Sequence, residues 1–464
     1  MGANFKRPNR LTPMMFPAKI DDWVERSHLA RFIVDILSKL NFRKFENHYR
    51  GSGSEPYHPS ILLGILFYGY STGIFSSRKL AQATYDLVPM RFICGGLHPD
   101  HDTLATFRKK FLKEIEDIFN QILLIAHKME VLRLGTISLD GTKIKANASK
   151  NKALSYDYAN KLEAQLKGEV KTLMAIAEVA DNNEVPPELN IPEEISRRED
   201  RLERISKAKA EIETRAKARY EDEKKEYDQK MKAREESEKR TGKKTGGRAP
   251  VAPNEAPKAK DQVNLTDEES RIMPCKGGGF DQMYNAQAAV DIDSRLIVVN
   301  HVSQCANDKK EIEPALEKLD QLPAELGKVA NKLADTGYFS EANAEKCEQK
   351  GIAPYIANKR KKHNTFLKEH VAQKERSAEQ DPKTNNQQTA VERMIDRMKT
   401  PEGKKLYAKR KSTIEPAFGI IKHVMGFRQF MLRGVVAVSG EWNLVCTAFN
   451  IKRLHRCSVG ILQN

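Results

Sequence analysis

The N-terminal part of the chain carries apolar residues at helical spacing. In residues 29–40 they recur every three or four positions, and three further segments have helical patterns: 61–70, 76–87 and 103–125. Pro59 lies close to the start of the second segment, and Asp102 with Thr103 is the expected N-cap of the last. The pattern predicts an all-helical domain over residues 1–130. It suits DNA docking by a helix-turn-helix-like unit and packing or dimerisation equally well.

Alternation of polar and apolar residues replaces this pattern further along. Residues 135–147 read as a strand with Asp140 in its middle, followed by Gly141, although aspartate is depleted in strands. Four more strands are predicted, the first two as a hairpin: 286–290, 296–299, 326–333 and 353–357. Helices are predicted at 309–319 and 340–350.

This order of elements predicts the fold class. Three antiparallel strands followed by helix, strand, helix, strand and a last helix make an α/β domain with a mixed five-stranded sheet and flanking helices. The domain is discontinuous and is formed by residues 131–150 and 270–455.

Residues 151–269 interrupt the sheet pattern with a long, highly charged stretch. Apolar residues step by three and four from Tyr158 to Ala177, and after a proline-rich reversal they keep a seven-residue repeat from Leu202 to Met231. Nearly every residue between them is Lys, Arg, Glu or Asp. The pattern predicts a helical hairpin or antiparallel coiled coil with a flexible linker, inserted into the sheet domain.

Residues 404–434 form a basic, amphipathic segment with a single carboxylate, Glu415. Lys411 and Lys422 share a predicted helix face with Glu415. Pro416 follows Glu415, and a residue before proline resists the α region, so we expect Glu415 in the first turn of this helix. Its apolar face is predicted to comprise Ile414, Phe418, Ile421 and Met425.

Charge and cysteine content bear on the binding partner and the cellular compartment of the protein. The 464 residues include 79 Lys or Arg and 63 Asp or Glu, a net charge of +16. Residues 401–464 hold eleven basic and three acidic residues, which indicates a polyanionic partner or a solvated basic surface. Six scattered cysteines, no signal peptide and no long apolar run predict a cytoplasmic protein with reduced thiols and no membrane span.

Three carboxylates stand out as candidates for metal chemistry. Asp140 and Asp335 interrupt or end apolar strands, and Glu415 lies on the late helix. Hard divalent cations such as Mg²⁺ bind a few carboxylates and fill their remaining positions with water and phosphate. Carboxylates from separate elements suit a two-metal site for displacement at phosphorus. A turn aspartate or a surface salt bridge explains each of them equally well on composition alone.

Several motifs taken together resemble those of DDE transposases of bacterial insertion sequences. Four residues separate Arg410 from Glu415 where that family often has three, so either Arg410 or Lys411 can take the position of the family's arginine. The motifs are Ser138-Leu139-Asp140-Gly141-Thr142, Ala334-Asp335-Thr336-Gly337-Tyr338, Tyr407-x-x-Arg410, Glu415 with six residues to Lys422, and the ending from Trp442 to Leu454.

The resemblance implies an RNase H-like catalytic core and a helical N-terminal transposase domain. The catalytic and metal-binding residues would be Asp140, Asp335 and Glu415, holding Mg²⁺ or Mn²⁺, in a pair of ions. The residues it assigns to DNA binding are Tyr407, Arg410, Lys411 and Lys422. For Tyr407 and Arg410, helix packing and a surface ion pair remain the alternative.

The expected activity is DNA transposition. The enzyme would bind double-stranded DNA at terminal inverted repeats as a homodimer or higher synaptic complex, cut a strand, and join the freed 3′-OH to target DNA. We expect a cytoplasmic protein that associates with the nucleoid when bound to DNA. Two alternatives stay open: a transposase-derived DNA-binding protein that no longer cuts, and a scaffold built on the charged hairpin.

Overall fold

The chain divides into two compact units. The first contains Met1–Thr142, Asn285–Met431 and Val436–Asn464, and the second contains Lys143–Tyr284 with Leu432–Val435. The computed structural model describes residues 19–49, 55–180, 191–241, 249–275, 277–358 and 388–462.

Helices alone form the N-terminal part of the first unit within residues 19–49 and 55–128. They are α1 (Leu29–Ser38), α2 (Arg43–Glu46), α3 (Pro59–Thr72), α4 (Ser77–Asp86), α5 (Val88–Ile93), α6 (His101–Lys110) and α7 (Leu112–Lys128). The predicted helix 103–125 is therefore two helices, separated at Phe111. The predicted N-cap was also wrong, since the Asp100 carboxylate accepts a hydrogen bond from the Thr103 amide at 2.6 Å and α6 begins at His101, two residues earlier than predicted.

Helix α3 lies in the core of this part, with eleven of its fourteen residues buried. His58 caps its N-terminus and Pro59 is its first residue, as the sequence predicted. Among the described helices, no single one is long and apolar enough to cross a membrane, although α3 and α4, bent by 97°, meet the length and composition criteria as a pair.

A mixed sheet with flanking helices forms the rest of the first unit. Its strands lie in the order β6-β5-β1-β7-β8. Strands β1, β7 and β8 are parallel, and β5 and β6 are antiparallel. The bounds are β1 (Thr136–Lys145), β5 (Phe280–Asp291), β6 (Ile297–Ser303), β7 (Asn331–Ala334) and β8 (Ala353–Ile356). Helices α10 (Ile312–Asp320) and α11 (Glu341–Gln349) connect β6 to β7 and β7 to β8.

Strand β7 and helix α10 both begin later in the chain than the sequence predicted. The chain between Ala324 and Leu326 turns as a 3-10 helix, so β7 starts only at Asn331. Likewise Asp308–Lys310 forms a 3-10 turn capped by the Asn307 side chain, and α10 begins after it. In both places a short turn takes residues that periodicity assigns to the neighbouring element.

The last part of the first unit consists of three helices, α12 (Ala390–Lys399), α13 (Pro401–Gly419) and α14 (Val435–Leu462). A π-helical turn, Ile420–Val424, follows α13. The predicted apolar face of the late helix is confirmed, because each of its four residues is at most 8% exposed: Ile414, Phe418, Ile421 and Met425.

The predicted position of Glu415 in a first turn was wrong. Helix α13 begins at Pro401, and Glu415 lies near its C-terminal end with Pro416 inside the helix. Proline at this position cannot donate to the carbonyl four residues earlier, that of Ser412. The Arg295 guanidinium donates to this carbonyl at 3.0 Å instead, which gives the helix a partner for the group that proline leaves unbonded.

Two long helices dominate the second unit, α8 (Tyr156–Ala180) and α9 (Ile191–Thr241). They run antiparallel, because Glu163 pairs with Lys209 and the later Glu169 pairs with the earlier Arg198. A small antiparallel sheet of β2 (Ala153–Ser155) and β3 (Gln262–Asn264) packs with them. The shared core contains Leu154, Ala159, Leu166, Ile205, Ala208, Ile212 and Val263.

The second unit also departs from the sequence predictions. Tyr158, expected on the apolar face, is 55% exposed, and Ala159 is buried instead. A short strand, β4 (Arg271–Pro274), pairs with residues 280–283 of β5 and makes the sheet six-stranded rather than five-stranded. Four residues ending in proline carry too little alternation to be recognised as a strand.

Two predictions about this architecture stay predictions, and others concern residues outside the described ranges. The coiled-coil geometry of α8 and α9 and the three-domain division stay predictions. Part of the predicted flexible linker, residues 242–248, lies outside the described residues, as do residues 1–18 of the predicted N-terminal domain. All six cysteines are free thiols, as predicted.

Candidate active site

The register of two parallel strands brings Asp140 and Asp335 together. Thr136 pairs with Asn331 and Ser138 with Leu333 across β1 and β7. Continuing this register by two residues sets Asp335 opposite Asp140. Neighbouring strands lie about 4.8 Å apart and side chains at the same register point to the same face. The two carboxylates therefore share one face at the end of the parallel pair.

The environment of Asp140 disfavours its negative charge. Burial raises the pKa of this carboxyl to about 6, and the charges of Asp335 and Asp308 act in the same direction. The Arg410 guanidinium and the Gly141 amide, which donates to Oδ1 at 2.8 Å, oppose this rise. An acid with a raised pKa among other acids marks a place where a further cation would be stabilised.

Arg410 connects Asp140 to the late helix. Its Nη1 donates to Asp140 Oδ2 at 3.2 Å, and its Nη2 lies 3.5 Å from Glu415 Oε1. The Arg410 side chain is only 11% exposed, whereas that of Glu415 is 55% exposed. Tyr407, one turn before Arg410 on α13, is half-buried, and burial raises the pKa of its hydroxyl, with Asp335 and Asp140 contributing in the same direction.

Sequence reasoning missed a fourth carboxylate, Asp308. Its Oδ1 accepts hydrogen bonds from Asn285 Nδ2 and Gln287 Nε2, each at 2.7 Å. The Tyr338 hydroxyl donates in turn to Gln287 Oε1. These bonds hold the Asp308 carboxylate beside Asp335, in the turn that follows β6.

A signal for Asp308 was present in the sequence. Asn285 and Gln287 alternate with Ala286 and Ala288 along β5, and their spacing of two residues sets them on one face, where the structure leaves them 1% and 0% exposed. Buried amides need partners, so two of them on one strand face indicate a polar group opposite.

The space around residue 141 explains why a glycine follows Asp140. A Cβ atom at this position would lie 2.2 Å from Gln287 Nε2, 2.7 Å from Asp308 Oδ1 and 2.9 Å from Asn285 Oδ1. No real side chain tolerates such contacts, so any larger residue would push apart the amides that hold Asp308.

The remaining residues predicted to bind DNA lie outside this cluster of carboxylates. Lys411 is exposed, and among the described residues it makes no ion pair with Asp140, Asp335 or Glu415. Lys422 is half-exposed in the π-helical turn after α13. Of the two cations that the sequence left open, Arg410 is the one that contacts carboxylates.

The three carboxylates are the kind of ligand that binds a hard divalent cation, but their oxygens do not surround one point. Carboxylate oxygens are the ligands that Mg²⁺ and Mn²⁺ prefer, and the charges of Asp335 and Asp308 add to the rise in the Asp140 pKa that burial causes. In the described part of the chain, however, no three His, Cys, Asp or Glu side chains form a group that could hold a metal ion. Arg410 lies between Asp140 and Glu415 instead.

Comparison with known proteins adds two family matches. Residues 344–455 match the family described as Transposase DDE domain, and residues 18–110 match the family described as Transposase domain (DUF772). The first range includes Glu415, Arg410 and Tyr407, and neither range includes Asp140 or Asp335. No curated protein and no solved structure matches the chain.

Proposed function

The chain carries the two domains of a DDE transposase of an insertion sequence, and from this premise we propose that it catalyses transposition of that element. In this proposal it cuts a DNA strand at the terminal inverted repeats and joins the resulting 3′-OH to target DNA. The DDE domain implies an RNase H-like core, which is compatible with the mixed sheet and its flanking helices.

The observation that carries the proposal is the register of β1 and β7. It brings Asp140 of β1 and Asp335, which directly follows β7, to one face, and Arg410 pairs with both Asp140 and Glu415. The three carboxylates come from different sequence regions and are linked only in the folded chain, through this register and through Arg410. This arrangement supports Asp140, Asp335 and Glu415 as the catalytic residues.

The same three residues would hold Mg²⁺ or Mn²⁺, in a pair of ions. When bound, the metal supplies Lewis-acid polarisation of the phosphate and lowers the pKa of an attacking water. Asp140 must lose its proton to serve as a ligand, which its pKa of about 6 allows at neutral pH. Asp308, fixed by Asn285 and Gln287, would add a further negative charge beside Asp335.

Arg410 is proposed to exchange its partners when DNA binds. Its guanidinium neutralises Asp140 and Glu415 in this structure and can turn to a phosphate, the group it pairs with in bidentate fashion elsewhere in proteins. Once Arg410 has turned to a phosphate, the carboxylates of Asp140 and Glu415 are free to bind metal. Tyr407 would contact the DNA end, and Lys411 and Lys422 would contact the backbone, where charge contributes affinity without reading sequence.

The wider assembly follows from the reaction. Two element ends must be held together, so a homodimer or a higher synaptic complex is proposed, with duplex DNA of the inverted repeats and the target as partners. The helical domain of residues 1–130 would serve DNA binding or assembly. Such a protein works in the cytoplasm, on the nucleoid.

The test compares cleavage with binding. Asp140→Ala, Asp335→Ala and Glu415→Ala should each lose strand cleavage of DNA carrying the element's terminal inverted repeats in Mg²⁺, by at least about a hundredfold. Each variant should keep its affinity for the uncut DNA within a few fold, because phosphate contacts come from other residues. A nicking assay with labelled DNA and a gel-shift assay on the same samples measure both.

Glu402→Ala is the matched control, because Glu402 is an exposed acid in the first turn of the same helix. It should cleave like the unmodified protein. Full cleavage by all three site variants would overturn the proposal. Binding of the inverted repeats without any metal-dependent cleavage by the unmodified protein would favour the transposase-derived DNA-binding protein instead.

A further inference from the structure

The second unit contains a groove that neither the sheet nor the carboxylates use. It has a volume of about 560 Å³ and lies where β2 and the start of α8 meet α9. Four cationic side chains and one carboxylate line it: Lys152, Arg197, Arg201, Arg204 and Asp200. All five residues are exposed, so the groove presents an excess of positive charge to solvent.

One wall of the groove is a row of arginines. Arg197, Arg201 and Arg204 are separated by four and three residues, which sets them on one face of α9 over about 10 Å of helix. Arg197 pairs with Glu193 and Glu194 of its own helix. For Arg201 and Arg204, the described residues include no hydrogen-bond or ion-pair partner. Two guanidinium groups are therefore available to an outside anion.

An aromatic and two aliphatic side chains complete the lining of the groove. Tyr158 is 55% exposed although it occupies a position that helical spacing assigns to the buried face. Leu265 is 45% exposed, and Leu162 is half-buried. The groove therefore combines cationic side chains with an exposed aromatic ring.

We propose that this groove binds a single strand of DNA, with phosphates on the arginine row and a base on Tyr158. Proteins that bind unpaired strands combine a basic groove with an aromatic platform in this way. The volume lies in the range of small-ligand sites, about 300–1,000 Å³, so one or two nucleotides enter it and a duplex does not.

The inference rests on the proposed function only for the origin of the strand. In that function DNA is cut at the element ends, and the unpaired strand would come from duplex that opens at the cut, because a nick alone leaves both strands paired. The binding itself depends on residues of the second unit alone, so it can be tested separately from cleavage.

The experiment measures affinity of the full-length protein for a fluorescent oligothymidylate of about 20 nucleotides, longer than common single-strand sites. The triple variant Arg197→Gln, Arg201→Gln, Arg204→Gln should bind about tenfold more weakly. Its salt dependence should also flatten by about 1.4 in the slope of log affinity against log salt, since Arg201 and Arg204 are the two available cations and each contact to a single strand contributes about 0.7. Tyr158→Ala should weaken binding about tenfold through lost stacking.

The matched control is Lys217→Gln, Lys225→Gln, Lys232→Gln. These exposed lysines lie on the same helix outside the groove, and the variant loses the same charge. Equal weakening by both triple variants would overturn the proposal, since bulk charge would then explain the binding. A second readout locates the strand: photo-crosslinking with an iododeoxyuridine-substituted oligothymidylate should label Tyr158, and labels confined to the first unit would also overturn it.

Failure of this site and failure of the proposed function are distinguishable. The Asp140→Ala variant should keep the Tyr158 crosslink while it loses cleavage. If the unmodified protein cleaves DNA but gives no Tyr158 crosslink, the groove assignment alone is wrong.

Discussion

At the scale of single residues, Lys332 has an unusual environment for a cation. It is fully buried on β7, and among the described residues its Nζ has one hydrogen-bond partner, the Ile312 carbonyl, at 3.4 Å. Burial lowers the pKa of its ammonium group from 10.5 to about 8, with Lys350 acting in the same direction and Cys347 against it. A buried cation without a carboxylate partner destabilises the folded state as long as it stays protonated.

We expect Lys332→Met to raise the free energy of unfolding at about pH 7 by up to about 3 kcal/mol. The folded-state pKa lies below the unfolded value, so the unfolded chain binds more protons between about pH 8 and pH 10.5. The stability of the unmodified protein therefore rises with pH through this window, and the advantage of the variant shrinks there. Urea unfolding at about pH 7 and about pH 9.5 measures both effects.

Lys328→Met serves as the control, because Lys328 is exposed in the turn before β7. It should change stability by less than about 0.5 kcal/mol at either pH. A loss of stability in Lys332→Met at neutral pH would show that the bond to the Ile312 carbonyl outweighs the cost of the buried charge.

At the scale of elements, the corner between α12 and α13 depends on one small residue. Gly403 is buried in the first turn of α13, and a Cβ atom there would lie 2.0 Å from the Arg397 carbonyl oxygen. Arg397 and Arg393 of α12 both pair with Glu348 of α11. The close approach at Gly403 thus sets the position of α12 against α11, and with it the start of the helix that carries Glu415.

Gly403→Ala should lower the free energy of unfolding by about 1–3 kcal/mol, because backbone rather than a flexible side chain blocks the new methyl group. Gly419→Ala provides the opposite case on the same helix. Nothing lies within 4 Å of a Cβ at Gly419, and alanine in a helix is favoured over glycine by about 1 kcal/mol, so this variant should be more stable. Thermal unfolding of both variants compares the two signs, and stabilisation by Gly403→Ala would contradict the close packing.

At the scale of the whole molecule, a buried ionic group joins the N-terminal helices to the C-terminal helix within the first unit. The Tyr70 hydroxyl of α3 donates to Glu441 Oε1 of α14 at 2.8 Å, and Arg108 Nη1 of α6 donates to that hydroxyl at 2.7 Å. Glu441 Oε2 also accepts the Met431 amide. Glu441 is fully buried and Arg108 is 5% exposed, so each charge depends on the other.

We expect Glu441→Gln to lower the free energy of unfolding by about 3–5 kcal/mol, because Arg108 stays buried without a countercharge. Removing one member of an exposed pair is the control: Asp35→Asn breaks the Lys39 pair, whose side chains are both about half exposed, and should cost less than about 1 kcal/mol. Denaturant unfolding followed by circular dichroism measures both variants. Equal costs would mean that the buried group does not stabilise the first unit.

Most elements and one part of the site could be predicted from local pattern. The helical faces of α1, α3, α4 and α13, the hairpin of β5 and β6, and the acids Asp140 and Asp335 at strand positions follow from spacing and residue type, which act over a few residues. The apolar face from Ile414 to Met425 is buried as spacing predicts.

What spacing could not predict depends on partners distant in sequence. Inside α13, the Ser412 carbonyl that Pro416 leaves unbonded accepts a hydrogen bond from Arg295, a contact across 117 positions of the chain. Two amides of β5 hold Asp308, and Ala159 rather than Tyr158 is buried in the second unit.

The sequence by itself therefore determined the type of most segments, the candidate carboxylates Asp140, Asp335 and Glu415, and the basic character of the late helix. Only the tertiary structure decided that Asp140 and Asp335 meet in register, that Arg410 rather than Lys411 lies between the carboxylates, and that an arginine row and Tyr158 line one groove. The physical reason is the sequence distance over which each signal acts. Periodicity indicates which face of one element is buried, whereas a site is made by groups that meet only when several elements pack.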